Sequence, residues 1–397
     1  DEVRASKKNL GLPENELFHV PSRTRELFAA RLKQLQRRKS AWDKLFAQYT
    51  AANPDKAEQW KVFMENRLPE NLEALLTVFD ITKPVATRSA SGKVIQALAD
   101  AIPNLVGGSA DLAPSTMTIM QKYPSVGPRS YAGRNFHFGI REHAMGAIMN
   151  GLALHGGFRV FGATFFVFAD YCRPAIRLAA IMKLPVIYVF THDSFYVGED
   201  GPTHEPIEHL ASLRCMPGMT TIRPADPTES AAAWIAALKN TKGPTAMLLT
   251  RHNLNVLDRS IYPAASNLEK GAYTLWQSGQ GTPAVLLIGS GSEVELALAA
   301  GKQLAGDCNV RVVSMPSWEF FEQQPESYRQ DVLPPACTCR LAIEAGVPFG
   351  WTKYIGPKGR TLCMERFGAS APYKVLAEKF GYTVDNVVAI VREMRKV

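Results

Sequence analysis

Apolar residues in the first 80 positions recur at intervals of three and four, which is the spacing of an amphipathic helix. The apolar stripe comprises Leu27, Phe28, Leu32, Leu35, Trp42, Leu45, Phe46 and Tyr49. Ser22 is a candidate N-cap for this helix, and the Asn53-Pro54-Asp55 sequence is predicted to end it. A further helix is predicted around Trp60, so we expect residues 1–80 to be helical with little strand content.

Between residues 81 and 255 the pattern changes to short apolar runs that alternate with segments of helical periodicity. Continuous apolar runs are typical of strands that are covered on both faces, as in a parallel sheet with helices on each side. The predicted strands lie at 105–106, 158–161, 185–190, 220–222 and 246–249. The predicted helices lie at 90–101, 144–154 and 227–238.

A segment rich in proline and polar residues, at about 252–270, is predicted to be a linker. The remaining predictions are strands at 284–288, 310–313 and 340–345 and helices at 292–304 and 384–395. Gly289-Ser290-Gly291 looks like half of a dinucleotide fingerprint, but Val294 replaces its third glycine, so we interpret it as a tight strand-to-helix turn. We therefore predict two α/β domains with mostly parallel sheets, at 81–255 and 256–397, preceded by a helical connector at 1–80.

Composition excludes several classes of protein. At 397 residues with 46% hydrophobic content, the chain is long enough for two or three domains. No run of 18 apolar residues predicts a membrane span, and no signal peptide is visible at the polar start. The six cysteines lack a disulfide or zinc spacing, which favours free thiols in a reducing cytoplasm. Because the sequence begins with Asp1 and not with Met, we interpret it as a processed, truncated or partial chain.

The net charge of +8 favours anionic ligands, and sugar phosphates or diphosphates would qualify. It does not select nucleic acid. Basic residues at 23–39 follow a helical pattern without interleaved aromatic residues, so we interpret them as a solvated or inter-domain helix face.

The stretch at 136–171 contains the strongest candidate chemistry, since Glu142 lies in a Gly-Ile-Arg-Glu-His sequence and Phe165, Phe168 and Tyr171 follow. The spacing of three places these aromatic residues on one face of a helical turn. A buried acid beside an aromatic face suits a flat heteroaromatic ring, because the ring stacks on the aromatics while the acid donates to its nitrogen. The alternatives are a glutamate that only stabilises a helix start and aromatic residues that only belong to the core.

Further polar candidates follow predicted strands, where ligands bind in open α/β sheets, so we expect them to line one site. They are Asp111, Ser115, His192, Asp200, His204 and Arg251. The alternatives are an Asx turn at Asp111, a mobile solvated loop around the two histidines, and a surface salt bridge at Arg251. The histidines have no third ligand at metal spacing, so we assign no metal ligands.

Four segments resemble motifs of transketolase, a thiamine-diphosphate-dependent enzyme, in the order of that family. They are 107–112 (GGSADL), 139–145 (GIREHAM), 191–194 (THDS) and 198–204 (GEDGPTH). The resemblance extends from about residue 1 to the C-terminus. It implies the pyrimidine-binding and C-terminal domains, with residues 1–80 as the connector and no counterpart of the amino-terminal pyrophosphate-binding domain.

The resemblance also implies roles for individual residues. Glu142 would hydrogen-bond the pyrimidine ring nitrogen of thiamine diphosphate and so promote the cofactor's attack on a ketose carbonyl, and His204 would hydrogen-bond near the reacting carbon. The expected cofactor pocket comprises Asp111, Glu142, Phe165, Phe168 and Tyr171, with Phe168 as the stacking ring. The expected substrate residues are Arg88, Ser115, His192, Asp200, His204 and Arg251. Guanidinium groups with a hydroxyl and an imidazole suit a terminal phosphate.

The family's magnesium–diphosphate motif, Gly-Asp-Gly followed by Asn-Asn, has no match in this sequence. Magnesium or calcium is therefore expected on the missing domain, and this chain is expected to hold only the pyrimidine half of the cofactor. We expect a cytoplasmic transferase of the pentose phosphate pathway that moves a two-carbon ketol unit between ketose and aldose phosphates. We expect it to be inactive alone.

Two other interpretations remain at this point. A related synthase, of the dihydroxyacetone or deoxyxylulose-phosphate type, would use similar chemistry, and a non-catalytic dimerisation module would use none. The expected assembly is a homodimer, with a separate pyrophosphate-domain polypeptide as a further candidate partner. No nucleic acid or membrane is expected.

Overall fold

A computed structural model describes residues 1–75 and 78–396, and the chain divides into two compact units, Asp1–Val62 and Phe63–Val397. The first unit is helical, as predicted, and its helices are α1 (Glu2–Asn9), α2 (Ser22–Ala52) and α3 (Pro54–Met64). The predicted N-cap at Ser22 is wrong, because Ser22 is itself the first helical residue and Pro21 occupies the N-cap position. The stop before Pro54 is confirmed, since α2 ends at Ala52.

The second unit begins with a six-stranded parallel sheet in the order β3-β2-β4-β5-β7-β6. The strands of this part are β1 (Val85–Ala86), β2 (Leu105–Ser109), β3 (Asn135–His137), β4 (Arg159–Phe165), β5 (Ile187–Thr191), β6 (Thr220–Ile222), β7 (Thr245–Leu249) and β8 (Asn253–Leu254). The helices are α4 (Thr87–Ala101), α5 (Ala113–Thr116), α6 (Glu142–His155), α7 (Ala169–Ile181), α8 (His209–Arg214) and α9 (Pro227–Lys239). Strands β1 and β8 form a separate antiparallel pair.

Hydrophobic clusters cover both faces of this sheet, which explains why its strands are apolar throughout. On one face, Ile95 of α4 and Trp234 of α9 belong to the same cluster as Phe161 of β4. On the other face, Met145 of α6 and Ile176 of α7 share a cluster with β4 and β5 residues. The predicted class, α/β with mostly parallel sheets, is confirmed.

The rest of the second unit forms a five-stranded sheet in the order β13-β12-β10-β11-β9, in which only β9 is antiparallel to its neighbour. Its strands are β9 (Tyr273–Gln277), β10 (Val285–Gly289), β11 (Val310–Ser314), β12 (Arg340–Ile343) and β13 (Arg360–Leu362). Its helices are α10 (Glu293–Leu304), α11 (Trp318–Glu322), α12 (Glu326–Val332), α13 (Thr352–Ile355), α14 (Tyr373–Lys379) and α15 (Val384–Met394). The predicted linker at 252–270 is more regular than expected, since it contains β8 and a 3-10 helix, Ala265–Lys270.

A buried arginine joins the two sheets. The guanidinium of Arg223, which follows β6, donates to Asp193 at 2.8 Å and also to Glu293, the first residue of α10. It donates in addition to the carbonyl of Ser290 at 2.8 Å, in the turn after β10. The predicted strand-to-helix turn is confirmed, since β10 ends at Gly289 and α10 begins at Glu293. The Arg223 side chain packs directly against this turn, because a Cβ added at Gly291 would lie 2.6 Å from the Arg223 guanidinium carbon.

Two further observations on the described residues concern membrane-spanning helices and the state of the cysteines. None of their helices combines the length and the apolar character that crossing a bilayer requires. All six cysteines are free thiols.

Candidate active site

The polar candidate residues follow the carboxyl ends of neighbouring parallel strands, as ligand-binding residues do in open α/β sheets. Asp111 follows β2, His192 follows β5 and Arg251 follows β7. A cavity of about 690 Å³ opens at this edge of the first sheet. Its walls are formed by Ala110, Asp111, Leu112, Ile140, Arg141, Glu142, His143, Phe168 and Tyr171. The geometry thus brings the candidate acid and two of the three candidate aromatic residues to one cavity.

Glu142 is the first residue of α6 and is buried, with 8% of its surface exposed. Arg141 occupies the N-cap position, and no side chain makes a capping hydrogen bond there. Within the described residues, the Glu142 carboxyl has no hydrogen-bond partner, unlike Asp226 at the start of α9, which accepts from the backbone N–H of Glu229 at 2.9 Å. Because the carboxyl is not used at the helix start and lines the open cavity, it is available to bind a ligand there.

The three aromatic residues form a stacked row and do not share one helical turn, so that part of the prediction is wrong. Phe165 ends β4, Phe168 ends a 3-10 helix (Phe166–Phe168) and Tyr171 lies in the first turn of α7. The Phe165 and Phe168 ring centroids are 6.0 Å apart with planes 9° from parallel, and those of Phe168 and Tyr171 are 6.0 Å apart at 29°. Phe165 lies behind Phe168, while Phe168 and Tyr171 line the cavity.

Beyond this row lies a positively charged group of side chains. Arg88 donates to the backbone carbonyl of Ser115 at 2.7 Å, so the contact uses the main chain of Ser115 and not its hydroxyl. Arg251 donates to the carbonyl of Val197 at 3.2 Å. Burial, and after it the charge of Arg251, lower the pKa of Arg88, which indicates that the two guanidinium groups act on each other. Two adjacent cations in a partly buried position form a favourable site for an anion.

His192 connects this group to the aromatic row. Its ring centroid is 3.6 Å from that of Phe165, and Nδ1 is 2.8 Å from the hydroxyl of Thr191. Burial lowers the pKa of His192 to about 3, with further contributions from Arg88, Arg251 and His204. His192 is therefore a neutral hydrogen-bonding group at physiological pH, and the positive charge comes from the arginines.

The remaining candidates lie nearer the surface. His204 contacts the Phe168 ring edge-on, with 5.7 Å between the centroids. Asp111 is exposed at the cavity with a left-handed backbone (φ 62°), a conformation that aspartate tolerates better than most residues. Asp200 is exposed, and in the part of the chain that the structure describes no hydrogen bond or ring contact joins it to the others. The charge of Asp200 acts on Glu205. Burial raises the pKa of Glu205 to about 7, and Asp200 makes a smaller contribution in the same direction.

Two groups of residues near the site were not singled out from the sequence. Leu112 and Ile140 add apolar surface to the cavity. A loop of the second sheet's domain contacts the 198–205 loop: Ser370 donates to the carbonyl of Glu199 at 2.7 Å, and Gly368 lies directly against the Glu205 carboxylate. Leu112 and Ile140 adjoin predicted site residues, whereas no local pattern in the sequence indicates the contact made by Ser370.

Three family models match the chain. The transketolase pyrimidine binding domain matches residues 83–256, the transketolase-like C-terminal domain matches 271–383, and the transketolase thiamine diphosphate binding domain matches 1–69. The chain belongs to the transketolase family. The expectation that the amino-terminal domain has no counterpart here is not supported, because its family model matches the helical residues 1–69.

Curated relatives and solved structures agree with this family. A transketolase of Geobacillus stearothermophilus is 53% identical over 94% of this chain and 56% of its own length, and one of Bacillus subtilis is 48% identical over 99% and 59%. The structure of a Leishmania mexicana transketolase has a TM-score of 0.92 and 42% identity, covering 99% of this chain and 57% of that one. The chain therefore spans slightly more than half the length of these relatives.

Proposed function

We propose that this chain forms the pyrimidine side of a transketolase active site and takes part in transferring a two-carbon ketol unit from a ketose phosphate to an aldose phosphate. The observation that carries the proposal is the buried Glu142 carboxyl, which has no hydrogen-bond partner in the described chain and lines the same cavity as Phe168 and Tyr171. A flat ring with a basic nitrogen would satisfy the acid and stack on the aromatic wall. The aminopyrimidine of thiamine diphosphate has this character.

In the proposed reaction, bound thiamine diphosphate supplies a carbon nucleophile and stores the electrons of the cleaved carbon–carbon bond. Glu142 would hold a proton at the pyrimidine nitrogen, and Phe168 and Tyr171 would stack on the ring. His204, next to Phe168, donates or accepts a hydrogen bond near the reacting carbon. Their rigid placement at the carboxyl edge of the sheet orients the reacting groups before any chemistry occurs.

The sugar phosphate would extend from this centre toward the arginines. Arg88 and Arg251 provide the charge for the phosphate, and the neutral His192 provides a hydrogen bond beside them. A similar solved structure, of a Pichia stipitis transketolase with sedoheptulose-7-phosphate, has 35% identity, a TM-score of 0.92 and 99% coverage of this chain. These features favour sugar-phosphate chemistry over a non-phosphorylated substrate.

This sequence has no Gly-Asp-Gly motif, so residues outside its 397 positions would mainly hold the diphosphate and its metal ion. We expect the isolated chain to show no ketol transfer and no magnesium-dependent tight binding of thiamine diphosphate. A similar structure described as a split gene transketolase, inactive beta4 tetramer, supports this view at 26% identity, covering 98% of that chain. Micromolar or tighter magnesium-dependent binding to the isolated chain would contradict it.

The proposed function is tested by Glu142→Gln in the assembled enzyme, by which we mean this chain together with the residues that would hold the diphosphate and its metal ion. Since an amide cannot hold the proton for the pyrimidine nitrogen, we expect kcat to fall by two or more orders of magnitude, about 3 kcal/mol or more. Glu326→Gln is the matched control, because Glu326 is likewise the first residue of a helix, α12, and lies outside the cavity. Near-normal turnover in both variants would contradict the proposed role and leave Glu142 as a helix-start residue.

A further inference from the structure

Away from the cavity, three side chains with metal-binding donor atoms meet between α7 and α8. Asp170 lies in the first turn of α7, Glu208 is the N-cap residue of α8, and His209 is its first residue. One donor atom from each lies within 4.8 Å of the other two. The His209 Nε2 is 3.2 Å from Oδ2 of Asp170, and Nδ1 is 3.8 Å from Oε2 of Glu208.

The imidazole is what distinguishes this group from a chance cluster of surface acids. His209 is buried, with 5% of its surface exposed, and the Phe166 ring packs against it at a centroid distance of 5.7 Å. Both ring nitrogens are buried, and among the described residues neither has a hydrogen-bond partner of suitable geometry. A buried imidazole that lies beside two carboxylates at ion-pair distance, with neither ring nitrogen hydrogen-bonded, requires an explanation.

We propose that Asp170, Glu208 and His209 bind a divalent transition-metal ion, of which zinc is the representative. One imidazole and two carboxylates form a ligand set that zinc accepts, with water as the fourth ligand. Imidazole favours zinc over magnesium or calcium, which prefer oxygen ligands alone. Two carboxylates and a neutral imidazole also balance the charge of the ion.

An ion bound to Nε2 of His209 requires the Glu208 side chain to move, because its Oε2 lies at 3.8 Å from the other ring nitrogen, Nδ1. Tetrahedral zinc with ligand distances of about 2.0–2.2 Å separates its ligand atoms by roughly 3.4 Å. The Asp170–His209 distance of 3.2 Å already fits this separation. The side chains of Asp170 and Glu208 are 57% and 52% exposed, so each can rotate toward the buried imidazole without disturbing the core.

The ion would strengthen the wall of the neighbouring cavity. Asp170 lies in the chain between Phe168 and Tyr171, the two aromatic residues that line it. An ion bound by the cluster would link the first turn of α7 to α8. A second contact already joins the same two helices, since Arg173 donates to the hydroxyl of Ser212 at 2.8 Å and to its carbonyl at 3.0 Å. Arg173 does not supply a metal ligand, so this contact is independent of the ion.

The experiment measures binding of zinc alone to the assembled enzyme, which is first stripped with a chelator and kept free of thiamine diphosphate. We expect one zinc ion per chain from this cluster in the wild type and in Arg173→Lys, the control that keeps the charge. His209→Ala, and Asp170→Asn with Glu208→Gln, should each weaken that binding at least tenfold. The second variant changes only exposed residues, so it remains informative if His209→Ala fails to fold.

Two readouts accompany the titration. Zinc should raise the thermal unfolding midpoint of the wild type and of Arg173→Lys but not that of the cluster variants. Cobalt substituted for zinc should show tetrahedral visible absorption without a thiolate charge-transfer band, because the cluster contains no cysteine. Equal zinc affinity in all variants, absence of stoichiometric binding, or a thiolate band in the cobalt spectrum would overturn the proposal.

Discussion

Two buried ionisable residues, Glu142 in the cavity wall and His192 behind the aromatic row, have different surroundings. Glu142 lines open space and has no hydrogen bond within the described chain, so its partner must come from outside. His192 is enclosed by protein and stands among positive charges, which disfavour a further proton. The Glu142 carboxyl is therefore open to a ligand in the cavity, whereas burial and neighbouring positive charges lower the pKa of His192.

The unusual pKa of His192 has a consequence for stability. The unfolded chain binds a proton at this histidine near pH 6.5, whereas in the folded chain the pKa is about 3. Between these values the unfolded state binds more protons, so stability falls as the pH falls. We expect His192→Gln to remove this contribution, which amounts to at most about 2 kcal/mol between pH 6.5 and pH 5.

Urea unfolding of the two proteins at pH 7 and pH 5 measures the difference. His155→Gln, at an exposed histidine, should behave as the wild type does. An equal loss of stability on acidification in wild type and His192→Gln would contradict the assignment.

Single residues of the site differ in how far the sequence alone could identify them. Glu142 was predicted because it lies in a long motif and Phe168 because of the aromatic spacing and the family resemblance, and both line the cavity. Their roles remain proposals. The Asp170–His209 contact was not predicted, because it depends on how α7 and α8 pack and leaves no periodic pattern in the sequence.

Secondary-structure elements were predicted well in type and less well in extent. The strand predicted at 158–161 is β4, which continues to Phe165, and the helix predicted at 144–154 is α6, which begins at Glu142. Both differences fall at the carboxyl edge of the sheet, where tertiary contacts and not local periodicity decide where an element ends. The error over the aromatic row has the same origin, since the row crosses the junction of β4, a 3-10 helix and α7.

The loop at 198–205 depends on a neighbouring loop for its position. Ser370 donates to the carbonyl of Glu199, and a Cβ at Gly368 would lie 1.5 Å from a carboxylate oxygen of Glu205. Because the 198–205 loop holds His204, we expect Ser370→Ala to raise the KM for the proposed sugar-phosphate substrate several-fold, which corresponds to the loss of one hydrogen bond of about 1 kcal/mol. Gly368→Ala should have a larger effect, because the added methyl group must displace the loop.

Steady-state kinetics of the assembled enzyme tests this prediction. Ser260→Ala is the control, because Ser260 makes a similar hydrogen bond, of 2.7 Å to Asp258, in a turn of its own. Unchanged KM values in both Ser370→Ala and Gly368→Ala would mean that the loop keeps its position without this support.

At the scale of the whole molecule, α6 and α7 present an exposed apolar surface. Gly146 of α6 is in close contact with Cys172 and Ala175 of α7, so its small size serves packing within the chain. The opposite sides of these helices expose large apolar residues, namely Ile148, Leu154, Leu178, Ile181 and Met182. Exposed large apolar residues on neighbouring helices, here called the α6–α7 patch, are typical of an interface between subunits.

We expect the chain to form a two-fold dimer through this patch, which the isolated 397 residues retain. Ile148→Glu with Leu178→Glu should convert it to a monomer at tens of micromolar, because like charges would then face each other across the axis. Ile261→Glu, at a more exposed position elsewhere, should leave the dimer intact. Sedimentation that finds the wild type monomeric at this concentration would show that other parts of the enzyme hold the subunits together.

The Arg223 cluster makes the two sheets of the second unit depend on each other. Removing one partner from a buried ion pair leaves the remaining charges uncompensated, at a typical cost of 3–5 kcal/mol. We expect Arg223→Ala to lower the free energy of unfolding by about that amount, and the loss to affect both sheets because Asp193 follows a strand of the first sheet and Glu293 follows a strand of the second. Calorimetry would contradict this if the variant unfolded at the wild-type temperature.

In many α/β proteins, the place that Arg223 occupies, beside the turn that follows β10, would be open to a small molecule. In this protein the guanidinium group of Arg223 fills that place. The Arg223→Ala protein should therefore contain a vacancy of guanidinium shape, bordered by the carboxylates of Asp193 and Glu293. Guanidinium chloride, ordinarily a denaturant, should first raise the unfolding temperature of this variant at low concentration and lower it only afterwards, while sodium chloride at the same ionic strength should produce no such rise.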